Sequence, residues 1–281
     1  MIIWLASYPK SGNTLLRSIL GTYFFSNDGV FDFQFIYKIG QFPMLDYFKR
    51  AGVDIYNDQE IFKNYIKAQK VFNIENRSIK FFKTHSIFFN RKVDNAKFSD
   101  LENTLGAIYV IRDPRSIVSS FAHHYQLSIN EATDQICNND LFSERTETHP
   151  QTFISSWKLN YLSWLGLGKK VLLIKYEDLI GEKKKTTLIK VFNFFKTLGM
   201  SDKSFDMEKL NKVIKSTEFN KMKELEKKQG FREATIDKKT GKRLTFFNKG
   251  PKNKWKDVLD EKNQKKIEKT FKKEMTELGY L

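Results

Sequence analysis

The chain has 281 residues, 40% hydrophobic and 15% aromatic, enough apolar material for a full core and too much for a disordered chain. Lysine and arginine outnumber aspartate and glutamate by 49 to 33, a net charge of +16 that favours an anionic partner without naming it. A single cysteine, Cys137, excludes internal disulfides and cysteine metal clusters and suits a reducing compartment, with Cys137 itself an inert packed thiol.

The first apolar run, residues 2–7, lacks a basic flank and is too short for a signal peptide or a membrane span, so it reads as a buried strand. It leads into Tyr8-Pro9-Lys10-Ser11-Gly12-Asn13-Thr14 and a helix expected over 13–25. A strand that turns into a helix start presents backbone N–H groups to an anion, and Lys10 adds a full charge. The bland alternative is a helix capped by Ser11 or Asn13. The spacing is not the Walker pattern, because the lysine precedes the glycine.

Residues 79–84 form a second apolar run that ends at His85, and residues 106–112 form a third that ends at Arg112. Pro114 suits the first turn of a helix over 114–125, which carries Ser120 eight residues after Arg112. A guanidinium and a hydroxyl placed in this way can converge on one phosphate. Helical periodicity follows at 152–167 and 183–198, on either side of a strand at 170–176. Strands alternating with helices predict an α/β fold, one three-layer α/β/α domain over 1–281 around a parallel sheet, with ligands beyond the carboxyl ends of the strands. No run reaches the roughly 18 apolar residues a membrane helix needs, so a soluble, cytoplasmic chain is expected.

From residue 201 onward there are 23 lysines and arginines against 14 acidic residues. Amphipathic helices are expected at 212–228 and 257–276, with a long mobile loop at 229–254 between them.

Taken together, PKSGNT, the KTH of Lys83 to His85, YVIRDPRSIVSS at 109–120, LLIKYEDL at 172–179 and NKGPKNKW at 248–255 resemble the cytosolic-type sulfotransferases in order and approximate spacing. The resemblance implies a P-loop-like phosphosulfate loop and transfer of a sulfuryl group from 3′-phosphoadenosine 5′-phosphosulfate to a hydroxyl or amine. Lys10, Ser11, Gly12, Asn13 and Thr14 match the family's 5′-phosphosulfate loop. Arg112, Ser120, Lys249 and Gly250 match its 3′-phosphate site, and Tyr176, Thr217 and Phe219 match its adenine contacts. His85 matches the catalytic base, Lys10 would stabilise the leaving phosphate, and Lys83 would contact the sulfuryl oxygens. No metal is implied. His123, His124 and His149 are expected to be structural.

The chain departs from the family pattern at Leu15, where relatives carry a tryptophan against the adenine, and at Asn248, where they carry an arginine; Lys252, Lys254 or Arg243 would have to compensate. Asn253-Lys254-Trp255 stands in place of the usual GDW, and no dimer signature follows it. The aromatic stretch Phe31, Phe33, Phe35, Tyr37, Phe42, Tyr47 and Phe48, with Phe88, Phe89 and Phe121, offers walls for a small apolar or aromatic alcohol as acceptor, although core packing explains these rings equally well. A kinase would need a Walker lysine and magnesium ligands. A nucleic-acid-binding reading rests on the basic carboxyl third alone, so no nucleic-acid partner is expected.

Overall fold

A computed structural model describes residues 1–72, 79–91, 96–200, 205–237, 239–250 and 254–281. Among them the chain runs β1 (Ile2–Ser7), α1 (Asn13–Phe25), α2 (Phe33–Tyr37), β2 (Gly40–Gln41), α3 (Leu45–Arg50), α4 (Asp58–Lys63), α5 (Tyr65–Gln69) and β3 (Lys80–Thr84). A short hairpin, β4 (Asn90–Arg91) and β5 (Ala96–Lys97), precedes β6 (Thr104–Ile111), α6 (Pro114–Tyr125), α7 (Ile129–Cys137), α8 (Trp157–Leu165) and β7 (Val171–Lys175). The carboxyl half continues through α9 (Tyr176–Ile180), α10 (Lys184–Thr197), α11 (Met207–Ser216), α12 (Phe219–Gln229), α13 (Glu261–Thr270) and α14 (Lys272–Glu277). No described helix is long and apolar enough to cross a membrane.

The main sheet is parallel, in the order β2-β3-β1-β6-β7. Its central strands are apolar on both faces because each face is covered by helices. Alternation along β1 sends Ile2, Trp4 and Ala6 into one core and Ile3 and Leu5 into the other. The first core gathers Trp157, Tyr161 and Trp164 of α8 with Ile267 and Met275 of the last two helices. The second packs Leu16, Ile19 and Leu20 of α1 against Leu188, Val191 and Phe195 of α10. This is the expected α/β arrangement of a parallel sheet between two helical layers.

The chain passes from β1 to the β2–β3 side and then crosses to β6 and β7 on the other. Such a reversal opens a crevice at the carboxyl ends of the strands. Registers pair Ala6 with Thr84, Ser7 with Val110 and Ile111 with Lys175, so four strands end almost level. The residues that follow them are Tyr8, His85, Arg112 and Tyr176.

Helices α1 and α6 occupy the expected spans, and three others differ for local reasons. The helix expected over 152–167 begins at Trp157, where the Ser156 hydroxyl accepts from the Leu159 N–H; Phe153 instead bridges Phe142. The helix expected over 212–228 is two helices, broken where Glu218 turns extended at φ −64° and ψ 143°. The helix expected over 257–276 starts at Glu261, capped by Asp260, and breaks at Phe271, whose ring packs 5.1 Å from Trp157. Cys137 is half-buried, and burial pushes its thiol pKa up, which favours the protonated form.

Candidate active site

The loop between β1 and α1 is shaped by two residues in the left-handed region, Lys10 at φ 66° and Gly12 at φ 102°. A side chain at Gly12 would lie 2.3 Å from the Tyr176 ring, so both the turn and the close approach require glycine. Neither Ser11 nor Asn13 caps the helix. Gly12 holds the cap position and supplies no side chain, while the Asn13 amide donates backwards to the Leu5 carbonyl at 2.8 Å. With no side-chain cap, the first turn of α1 presents its N–H groups at the crevice.

Ser11 departs from its expected place. It is fully buried and does not line the cavity, and its hydroxyl has no hydrogen-bond partner. The other expected positions come together: Lys10, Gly12, Asn13, Thr14, Leu15, Lys83, His85, Arg112, Ser120, Tyr176, Thr217, Phe219, Asn248, Lys249 and Gly250 all line one cavity of about 1310 Å³. Pro251, Lys252 and Asn253 lie outside the described residues, and neither Lys254 nor Arg243 lines the cavity. Arg243 instead donates to the Phe231 carbonyl.

At one end, Arg112 donates to the Lys10 carbonyl at 3.0 Å and lies 4.4 Å from the centre of the Tyr176 ring. Its buried Nε has no partner, an unmet donor that suits an anionic group. Phe219 opens α12, and a side chain at Gly250 would strike its ring at 2.4 Å. That approach lays the Asn248–Lys249–Gly250 backbone beside an aromatic ring, while the Thr217 hydroxyl is spent on the Val213 carbonyl. Leu15 offers an aliphatic wall in the same cavity.

Lys10, Lys83 and His85 line the same cavity, and Lys83 is close enough to act on both of the others. His85 Nδ1 lies 2.8 Å from the Ser7 carbonyl, which can only accept, so Nδ1 carries the proton and Nε2 keeps its lone pair. Its backbone is pinned as well, because Asn160 donates to the His85 carbonyl while accepting from the Tyr109 hydroxyl at 2.6 Å. Burial and the nearby Lys83 lower the His85 pKa to about 3, which keeps the ring neutral. Burial and Lys83 also lower the Lys10 pKa to about 7, and the Lys10 ammonium lies 4.1 Å from the Phe246 ring centre.

Three features of the site had not been expected. Arg17, buried in α1, donates to both Glu233 oxygens at 2.8 and 2.7 Å, and the same carboxylate lies 3.4 Å from Lys83. A lone arginine within the apolar run LLRSIL is a detectable signal, since a buried guanidinium must find a partner; nothing local marks Glu233. His123, His124 and His149, expected to be structural, all line the cavity, with Gln41 donating to His149 at 2.7 Å. Of the aromatic stretch only Phe42 reaches the cavity, joined there by Phe121. Phe31 and Phe33 instead pack on Phe231 and Phe247, and Phe48, Phe88 and Phe89 belong to the first core.

The segment expected as a mobile loop is anchored. Phe231 packs 4.8 Å from Phe33, the Glu226 carboxylate accepts from the Phe246 and Phe247 N–H groups, and Thr235 bonds to His124 at 2.9 Å. Among the described residues no group of three or more His, Cys, Asp or Glu side chains could hold a metal ion.

The fold is similar to that of mouse sulfotransferase SULT7A1 complexed with PAP, with a TM-score of 0.58 at 19% identity over 97% of this chain and 83% of that one. It is similar as well to retinol dehydratase in a complex with retinol and PAP, with a TM-score of 0.61 at 16% identity over 98% and 81%. No curated protein matches the chain by sequence. The model of the family described as "Sulfotransferase domain" matches residues 2–279, and the chain belongs to that family.

Proposed function

We propose that the whole chain is one sulfotransferase domain that moves a sulfuryl group from 3′-phosphoadenosine 5′-phosphosulfate to a hydroxyl or amine of a small acceptor. The observation that carries this reading is His85: its tautomer is fixed by the Ser7 carbonyl, and its free Nε2 belongs to the same cavity as Lys10 and Lys83. A neutral imidazole with an exposed lone pair accepts the acceptor's proton as its oxygen or nitrogen attacks sulfur. Lys10 and the first turn of α1 hold the 5′-phosphate and offset charge growing on the leaving oxygen, and Lys83 faces the sulfuryl oxygens.

Arg112, with its unmet Nε, and Ser120, together with Lys249 and Gly250, hold the 3′-phosphate. Tyr176, Thr217, Phe219 and Leu15 surround the adenine. The donor carries the activated sulfur–oxygen bond; the chain supplies position and charge. The same cavity is lined by Phe42, Pro43, Phe121, Leu141 and Ile154 together with Gln41, His149 and Thr152, a mostly apolar set that suits an apolar or aromatic alcohol. Retinol, present with PAP in the complex of retinol dehydratase, is an alcohol of this kind. The lone Cys137 goes with a reducing, cytoplasmic setting.

The test is thermal stabilisation by 3′-phosphoadenosine 5′-phosphate beside AMP, ADP and ATP. A ligand at about 100 times its Kd stabilises by roughly 2.7 kcal/mol. Selective stabilisation by the bisphosphate that disappears in Arg112→Ala supports the reading, and selectivity for ATP refutes it.

A further inference from the structure

The donor reading leaves a half-buried carboxylate without a task. Glu233, from the segment joining α12 to the carboxyl-terminal helices, places a carboxylate among the cations of the cavity. Arg17, whose side chain is 2% exposed, spends its guanidinium on Asn13 at 3.1 Å, Thr14 at 3.3 Å and both oxygens of Glu233. Glu233 is thereby tied to the phosphosulfate loop through α1. Its second oxygen lies 3.4 Å from the Lys83 ammonium, two residues before the base His85. Lys83 and Arg17 together hold the carboxyl well below the usual range, so the charge stays in place at every working pH.

A carboxylate and a sulfuryl group have the same chemistry toward these donors: a single negative charge spread over oxygens that accept from Lys and Arg. On the reading above, the sulfuryl group must lie where Lys83 and His85 meet, and Glu233 is already on Lys83. Two like charges cannot share one ammonium in a partly buried cavity, where solvent screens them less than at the open surface, without a cost. The anchors on either side, Phe231 in its aromatic cluster and Thr235 on His124, fix the backbone and leave the side chain and the intervening turn as the parts that can give way.

We propose that Glu233 is a surrogate anion in the sulfuryl subsite, displaced by the phosphosulfate donor and not by the desulfated product, so that it sets the discrimination between the two. This inference rests on the donor reading. It reverses the usual expectation for a covering segment, because the donor loosens the stretch around Glu233 whereas the product leaves it closed.

The test compares the affinity of the full chain for the phosphosulfate donor, without acceptor, and for 3′-phosphoadenosine 5′-phosphate, in the wild type and in Glu233→Gln. The amide keeps the size and one acceptor oxygen and removes the charge. Removing the charge strengthens binding of both anions, because Glu233 also acts on Lys10 and on the loop through Arg17, but donor affinity is expected to rise by about tenfold more than product affinity. A second measurement needs no variant. Trypsin cleavage after Arg232, which is exposed and stacks 4.7 Å from the Tyr37 ring, is followed by mass spectrometry with each nucleotide.

Faster cleavage with donor than with product supports the proposal. Equal protection by both, or equal affinity changes for both in Glu233→Gln, overturns it while leaving the donor reading intact. Binding of neither nucleotide by wild type overturns both.

Discussion

Lys10 gives the sharpest test of the electrostatics. Burial inside the cavity wall and repulsion from Lys83 lower its pKa to about 7, from an ordinary value of 10.5. Above that pH the free chain holds Lys10 neutral, whereas an anion bound at the loop favours the ammonium. Binding of 3′-phosphoadenosine 5′-phosphate above about pH 7 must therefore take up one proton, and affinity falls tenfold per pH unit. Between pH 7, where half of Lys10 is already neutral, and pH 8.5 the loss is roughly 16-fold, about 1.6 kcal/mol. The sign is opposite to that set by the nucleotide, whose phosphates gain charge as pH rises and are fully ionised by pH 7.5 on the ordinary second pKa of about 6.

The assay is calorimetric titration from pH 6 to pH 9 in buffers of different ionisation enthalpy, which also counts the proton. Lys10→Arg is the control, since a guanidinium stays charged throughout and flattens the profile whatever it does to absolute affinity. A flat wild-type profile with no proton uptake, or a slope that persists in Lys10→Arg, would refute the assignment of the lowered pKa to Lys10.

Two further outcomes follow from the site. Gly12→Ala forces a side chain into the left-handed region at φ 102° and against the Tyr176 ring, costing about 1–2 kcal/mol from the backbone alone; chemical denaturation should show at least that loss, and nucleotide stabilisation should vanish. His85→Asn removes the free Nε2 and should lower kcat by roughly 10²–10⁴-fold while leaving nucleotide stabilisation in thermal melts unchanged; a variant that retains wild-type turnover would assign the base elsewhere.

The chain's local grammar carries much of the fold. Apolar runs at 2–7, 79–84, 106–112 and 170–176 became strands of the parallel sheet within two residues at each end, most plainly β1 and β6, which are buried on both faces and so read as nearly continuous apolar runs. Pro114 and the loop sequence YPKSGNT placed α6 and α1, since proline at the first turn and a glycine that must adopt positive φ are constraints of the backbone itself. Where the break had no glycine or proline, as at Glu218 and Phe271, the periodicity ran on and two helices read as one.

The site divides in the same way. Its strand-end residues Lys10, His85, Arg112 and Tyr176 are legible because connectivity alone puts them at the carboxyl edge of a parallel sheet. Three things came only from tertiary structure: the pairing of Arg17 with Glu233 across 216 residues, the turning of His123, His124 and His149 toward the cavity, and the withdrawal of Ser11 behind its own loop. Sequence fixes which groups a segment offers to its neighbours in the chain. Which distant charges then meet is settled by packing, since a buried guanidinium takes whichever carboxylate the assembled fold brings within reach.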